Sequence, residues 1–284
     1  MPTLPPLIRL IRPHQWLKNG FVFAGLVFSQ RWQETDLVAA VSLAFAAFCG
    51  ISSAIYILND WFDRARDAGH PVKRHRPLAS GEVSGPVALV LAVLLVLASA
   101  WLARANTALL ILLGIYMLLN FAYSLRLKRV AVVDVYVIAS GFMLRLLAGT
   151  LAVGIAPSRW LLLTGIFTAL FLGFSKRKAE SFHEASIQRR VLADYPAALL
   201  DTFVATTLTA TLITYSLFAS SAEALRQHGE RLVYTIPVVI FAMLRYTWQV
   251  HQGKGEDVAR DLLSDRWILL AALLWLLLFL GQGL

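Results

Sequence analysis

Residues 51–77 read ISSAIYILNDWFDRARDAGHPVKRHRP. From Ile51 to Leu58 the chain carries no charge. Then three aspartates appear at Asp60, Asp63 and Asp67, and Lys73, Arg74 and Arg76 follow within a few residues. The physical reading is a membrane-spanning helix that ends at Asn59 and Asp60 and continues one or two turns into water. Gly69 and Pro71 then stop it.

Working outward, the rest of the chain has the same character. Of its 284 residues, 58% are hydrophobic and 15% charged, against about 45–50% and 25% in a soluble domain. A bilayer-spanning helix needs about 20 mostly apolar residues. Nine stretches qualify: 16–32, 37–58, 85–103, 106–124, 131–153, 158–175, 199–220, 232–250 and 266–283. The first is short and flanked by Lys18 and Asn19. No linker or low-complexity segment divides residues 1–284, so the pattern predicts one all-α membrane domain of nine transmembrane helices. The N-terminal MPTLPPLIRLIRPHQWLKN has no continuous apolar core ending in a cleavage site, and no removable signal peptide is expected.

Charge sets the orientation. With nine spans, the N-terminus and the loops after spans 2, 4, 6 and 8 share one side, which carries eighteen of the 26 basic residues. The other side has Arg31, Arg104, Arg159, Arg226 and Arg231. The positive-inside rule puts the N-terminus in the cytoplasm and the C-terminus outside. The cytoplasmic loops are also the long polar ones, so a catalytic site is expected there, in a cavity open to the cytoplasm. The net charge of +9 is explained by this distribution, and nucleic acid is not needed as a partner.

The acidic stretch carries chemistry. Asp60, Asp63 and Asp67 are spaced i, i+3, i+7 and share one helical face. Three carboxylates there repel one another unless a cation joins them. Mg²⁺ suits the set, because it is held by one or two carboxylates while phosphate oxygens and waters complete its octahedron. Lys73, Arg74 and Arg76 can neutralise phosphate charge that the metal does not. Asp60, Asp63 and Asp67 are therefore the candidate metal ligands and the stretch reads as a Mg²⁺–diphosphate site. The competing reading is a set of solvated interfacial charges.

Other polar points accompany it. Asn120 and Tyr123 share a face at the end of span 4, and Lys128 in the next loop is a candidate phosphate ligand. Asp134 opens span 5, where it either caps the helix or binds substrate hydroxyls. Arg145 lies eleven residues deeper, about 16 Å along the helix; it faces either a polar cavity or a salt-bridge partner. Lys18 and Asn19 at the start of span 1 can touch a lipid phosphate, or the lysine snorkels. In the last cytoplasmic loop Asp257, Asp261 and Asp265 recur at helical spacing; pairing with neighbouring arginines explains them better than a second metal site. His14, His70 and His75 have no metal-ligand spacing, Cys49 is the single cysteine, and no nucleotide-binding loop or dinucleotide fingerprint is present.

NDxxDxxxD at the end of a second span, followed by HPxKxxRP, resembles the first aspartate-rich motif of the UbiA superfamily of intramembrane prenyltransferases. IRPHQWLKN (11–19), NFAYSLRLKRVAVVDV (120–135), SGFMLRLLAG (140–149) and SKRKAE (175–180) resemble the branch of that superfamily that makes decaprenylphosphoryl-5-phosphoribose. The resemblance covers essentially the whole chain. It implies a UbiA-like bundle with its active-site cavity facing the cytoplasm. It also implies a reaction: transfer of phosphoribosyl from phosphoribosyl pyrophosphate (PRPP) to a polyprenyl phosphate, with Mg²⁺ as cofactor. Asp60, Asp63, Lys73, Arg76 and Lys128 would be catalytic. Lys18, Asn19, Asn59, Arg74, Asn120, Tyr123, Asp134, Arg145, Lys176 and Arg177 would bind substrate.

One departure is informative. Members that prenylate aromatic rings carry a second DxxxD after span 6, whereas this chain has SKRKAE. Lys176 and Arg177 cannot chelate Mg²⁺ but can hold a metal-free phosphate monoester, unless they are only topology signals. Two rivals stand: a UbiA-type aromatic prenyltransferase using a polyprenyl diphosphate, and a polytopic transporter. The chain is compatible with a homo-oligomer without specifying one.

Overall fold

A backbone that crosses lipid must satisfy its own hydrogen bonds, and a helix does so within one segment. Accordingly, every regular element among the described residues is helical. The structure, a computed structural model, describes residues 4–182, 190–255 and 258–280. In order the α-helices are α1 (Pro6–Ile11), α2 (Ala24–Phe28), α3 (Thr35–Ala68), α4 (Gly85–Ala103), α5 (Thr107–Leu125) and α6 (Val133–Ala148). There follow α7 (Arg159–Ser181), α8 (Ala197–Ala219), α9 (Ala222–His228), α10 (Thr235–His251), α11 (Val258–Ser264) and α12 (Arg266–Leu280).

Among the described residues six helices are long and apolar enough to cross a membrane: α3, α4, α5, α6 with its extension to Val153, α8, and α10 with the turn from Glu230. The other three expected spans differ. Residues 16–32 do not form one long helix: Pro13–Phe23 is a 3₁₀ segment followed by the short α2. Its polar residues explain this, since Asn19 is fully buried and bonded to α3 through Cys49 and Ser52. Helix α7 is 23 residues long, but its last turns carry Lys176, Arg177, Lys178 and Glu180. Helix α12 covers 15 described residues.

The chain forms two compact units. The first comprises Met1–Arg126 with Leu144–Pro157. Its core gathers Val41, Ala44, Phe48 and Ile51 of α3 with Val22, Leu113, Tyr116 and Ala148. A second cluster joins Ala54 and Ile57 of α3 to Leu10, Leu78, Ala88 and Ala92. Small residues let the backbones approach: a Cβ at Gly149 would overlap the Val22 carbonyl, and one at Gly50 would overlap the Ser99 hydroxyl. Along α4, Val90, Val93, Leu94 and Leu97 remain exposed, as a lipid-facing stripe requires.

The second unit comprises Leu127–Met143 with Ser158–Leu284. Helix α7 packs along α8, and α10 along α12. Its core holds Val135, Ala139, Phe171, Phe174, Leu200, Val204, Tyr246 and Val250. Side-chain caps define several helix starts: Asn106 accepts from the Leu109 amide (2.9 Å), Ser158 from Leu161 (3.1 Å) and Ser221 from Ala224 (3.2 Å).

What positions the acidic stretch is the length of α3. At 1.5 Å per residue its 34 residues span about 51 Å, against about 30 Å of hydrocarbon. One helix therefore runs through lipid and carries its last turns, Asp60 to Asp67, beyond it.

Candidate active site

In the first unit the end of α3 meets the segment around Arg12. Asp60 and Asp67 are 3% and 2% exposed. The Arg12 Nη2 donates to both Asp60 oxygens, at 2.6 and 2.7 Å. The Arg76 Nη1 donates to Asp60 Oδ1 at 2.9 Å and to Asp67 Oδ2 at 2.6 Å. Asp60 and Asp67 thus converge on one nitrogen. Asp63 does not join them: its carboxylate pairs with Arg66 at 2.9 Å. The spacing i, i+7 completes almost two turns and brings Asp67 back under Asp60, whereas i+3 falls 60° to one side. Asp63 therefore stands apart from the pair that Asp60 and Asp67 form around Arg76.

The surrounding residues are held locally. Lys73, Arg74 and His75 form a 3₁₀ turn, with Arg74 exposed and Lys73 half-buried. Asn59 accepts a hydrogen bond from the Ser124 hydroxyl of α5 at 2.6 Å. Asn120 donates to the Tyr116 carbonyl at 2.8 Å, and Tyr123 is half-buried one turn on. Lys18 donates to the Gln15 side chain, three residues before it.

Deeper in the same unit, Arg145 lies beside aromatic rings. It donates to Asn19 Oδ1 and to the Tyr116 hydroxyl, both at 2.7 Å, and its guanidinium sits 4.7 Å from the Tyr116 ring centre. Asn19 is fully buried and Arg145 is 5% exposed. Hydrogen bonds and ring faces offset the cost of an intramembrane cation, and Arg145 and Asn19 hold each other across the unit.

In the second unit Asp134 and Arg177 form an ion pair at 2.7 Å, with side chains 0% and 1% exposed. The Tyr195 hydroxyl donates to the other Asp134 oxygen at 2.7 Å and accepts from the Val132 amide at 2.5 Å. Burial, and then the bond to Asp134, raises the Tyr195 phenol well above its ordinary value, so it stays protonated and donating. Arg177 also holds Glu180 at 2.5 Å, and Lys178 donates to Asp201 at 2.9 Å. Arg177 is thus bonded to two carboxylates, and Asp134 to Arg177 and Tyr195. Of the basic run, Lys176 is the half-buried member. Lys128 is half-buried in the 3₁₀ turn Leu127–Arg129.

The last loop behaves as expected for paired charges. Asp265 caps α12 by accepting from the Trp267 and Ile268 amides at 2.9 and 3.0 Å, and it binds Arg245 at 2.9 Å. Burial alone would raise its pKa, but the bonds from Arg245, the Ile268 amide, Gln249 and the Trp267 amide hold it down at about 2. Asp261 accepts from the Gly255 amide at 2.7 Å; Asp257 lies outside the described residues.

The donor set can be tested against Mg²⁺. Among the described residues no three of His, Cys, Asp and Glu gather into a metal cage. Two carboxylates, Asp60 and Asp67, do converge on a single cationic nitrogen. Mg²⁺ is held in this way, by one or two carboxylates with substrate phosphates completing the shell. The residues fit. Arg12 joins the site without any spacing signal to announce it, because it lies 48 positions from Asp60.

Comparison with known proteins gives consistent findings. The model of the UbiA prenyltransferase family matches residues 20–277, a range that runs through both units. A protein of Mycolicibacterium smegmatis named decaprenyl-phosphate phosphoribosyltransferase is 33% identical, over 95% of this chain and 90% of its own length. A protein of the same name from Corynebacterium glutamicum is 36% identical, over 95% and 84%. A UbiA homologue from Archaeoglobus fulgidus, solved bound to GPP and Mg²⁺, superposes with a TM-score of 0.72 at 19% identity, covering 98% of this chain and all of that one. That last likeness bears on the fold.

Proposed function

The chain belongs to the UbiA prenyltransferase family, and from that premise we propose that it transfers the 5-phosphoribosyl group of PRPP to a polyprenyl phosphate of decaprenyl type. The single observation that carries the reading is the likeness, at 33–36% identity along 95% of the chain, to proteins named for that transfer.

The step balances without an external base. The bond from ribose C1 to diphosphate breaks, diphosphate leaves with the electron pair, and a polyprenyl phosphate oxygen bonds to C1. That oxygen is already anionic near neutral pH. A Mg²⁺ ion held by Asp60 and Asp67, with Asp63 one turn away, would neutralise charge on the departing diphosphate. Arg76, Lys73 and Arg74 bind its remaining oxygens. Lys128 and Lys176 are the cations that we assign to phosphate binding. The protein's contribution is positioning and charge neutralisation. We place all nine helical stretches in the membrane, with the N-terminus and the acidic stretch on the cytoplasmic side. The basic-residue asymmetry supports that orientation.

Purified protein with Mg²⁺, polyprenyl phosphate and ribose-labelled PRPP tests the reading. Label should enter the organic phase with wild type, and Asp60→Asn should lower the rate by at least about 100-fold. Absence of transfer from folded protein across several chain lengths would overturn it, and a polyprenyl diphosphate with an aromatic acceptor would be tried next.

A further inference from the structure

Asp60 is reached from two sides by guanidinium groups. Arg76 shares it with Asp67, but the Arg12 Nη2 bridges both of its oxygens alone. The Asp60 side chain is 4% exposed and that of Arg12 21%, and the Arg12 guanidinium lies 5.2 Å from the Tyr56 ring centre. Arg12 is also held in place through its backbone. Its φ of 52° and ψ of 62° fall in the left-handed region that residues with a Cβ rarely adopt. Ser53 pins the neighbouring chain, donating to the Ile11 carbonyl at 2.8 Å and accepting from Trp16 Nε1 at 2.9 Å.

We propose that Arg12 is a binding residue that exchanges its hold on Asp60 for a hold on diphosphate, so that divalent ion and diphosphate enter together and the ion alone is disfavoured. The proposal rests on the phosphoribosyl-transfer reading. An ion that takes Asp60 as a ligand meets Arg12 across both oxygens. Displacing Arg12 would leave a largely buried guanidinium without its carboxylate, which is costly. A diphosphate removes that cost by giving the released guanidinium an anion with matching geometry. Free metal does not. Two ligands that each need the same side chain moved are coupled, typically by about 5- to 150-fold.

The test is binding rather than turnover. Mn²⁺, which takes oxygen sites as Mg²⁺ does, would be titrated by electron paramagnetic resonance into purified protein in micelles, alone and with inorganic diphosphate. Wild type, Arg12→Gln and Arg12→Lys would be compared. Arg12→Gln should bind Mn²⁺ alone about ten-fold more tightly and Mn²⁺ with diphosphate about ten-fold more weakly. Arg12→Lys should shift in the same two directions by less. A residue that merely braced the fold would weaken both, and that result, or unchanged Mn²⁺ affinity, overturns the proposal. If Arg12→Gln does not fold, Arg12→Lys decides it alone. Wild-type transfer of ribose label, measured in parallel, separates the two ideas. Transfer without the crossing of affinities sinks the exchange, and the crossing without transfer sinks only the donor assignment.

Discussion

Arg177 and Asp134 are among the least exposed charged side chains of the protein, and their worth lies in being paired. Removing one partner of a buried pair costs about 3–5 kcal/mol, because it strands the other charge, whereas replacing both by apolar residues of similar volume is often neutral. Arg177→Met should therefore lower thermal stability in micelles strongly, and Arg177→Met with Asp134→Leu should recover most of it. Label transfer by that double variant then checks the assignment: retained activity fits a brace, and a folded but inactive double variant would return Arg177 to the anion site. Asp265 gives a pH prediction. Its folded pKa of about 2 lies below the ordinary 3.8, so its contribution is fully present above pH 3.8 and is lost as pH falls through about 2. The melting difference between wild type and Asp265→Asn should be full at neutral pH and shrink progressively below pH 3.8. A difference that stays constant down to pH 2 would show that the carboxylate charge is not what stabilises α12.

Among elements, the contact between the end of α6 and the Pro13–Phe23 segment has the least slack. Gly149 leaves no room for a methyl group against the Val22 carbonyl, and Gly25 lies close to Gly149 and Thr150 as well. Backbone cannot move aside as a flexible side chain can, so Gly149→Ala should cost about 1–3 kcal/mol as overpacking does. Because Asn19 and Arg12 lie in or beside this segment, the same variant should also weaken Mn²⁺–diphosphate binding. Gly20→Ala, where a Cβ meets nothing within 4 Å, is the control, and its melting and binding should match wild type. Equal loss from both variants would show that the close approach is not what governs the segment.

For the molecule as a whole, orientation is the property that basic residues decide. Cys49 is buried, so single cysteines introduced in exposed loops report their side of the membrane. Ala105→Cys should react with an impermeant thiol reagent on intact cells, whereas Ser80→Cys and Gln252→Cys should react only after permeabilisation; the opposite pattern would invert the topology. Much of this molecule was legible in its sequence because the bilayer imposes a local rule: runs of apolar residues become helices whoever their neighbours are. Helices α3, α4, α5, α8 and α10 follow from such runs, and the acidic face of Asp60, Asp63 and Asp67 from helical spacing. Residues 16–32 were not legible, because a polar residue such as Asn19 is acceptable inside only when Cys49, Ser52 and Arg145 arrive to bond it. The sequence by itself determined an all-helical membrane protein with a run of carboxylates and then cations at the end of its longest helix. Tertiary structure alone decided which polar side chains meet, drawing Arg12 to Asp60 across 48 residues, Arg145 to Asn19 across 126 and Arg177 to Asp134 across 43. Spacing along a chain records only neighbours within a few turns, whereas the partner of a buried charge is fixed by which helices pack against its own.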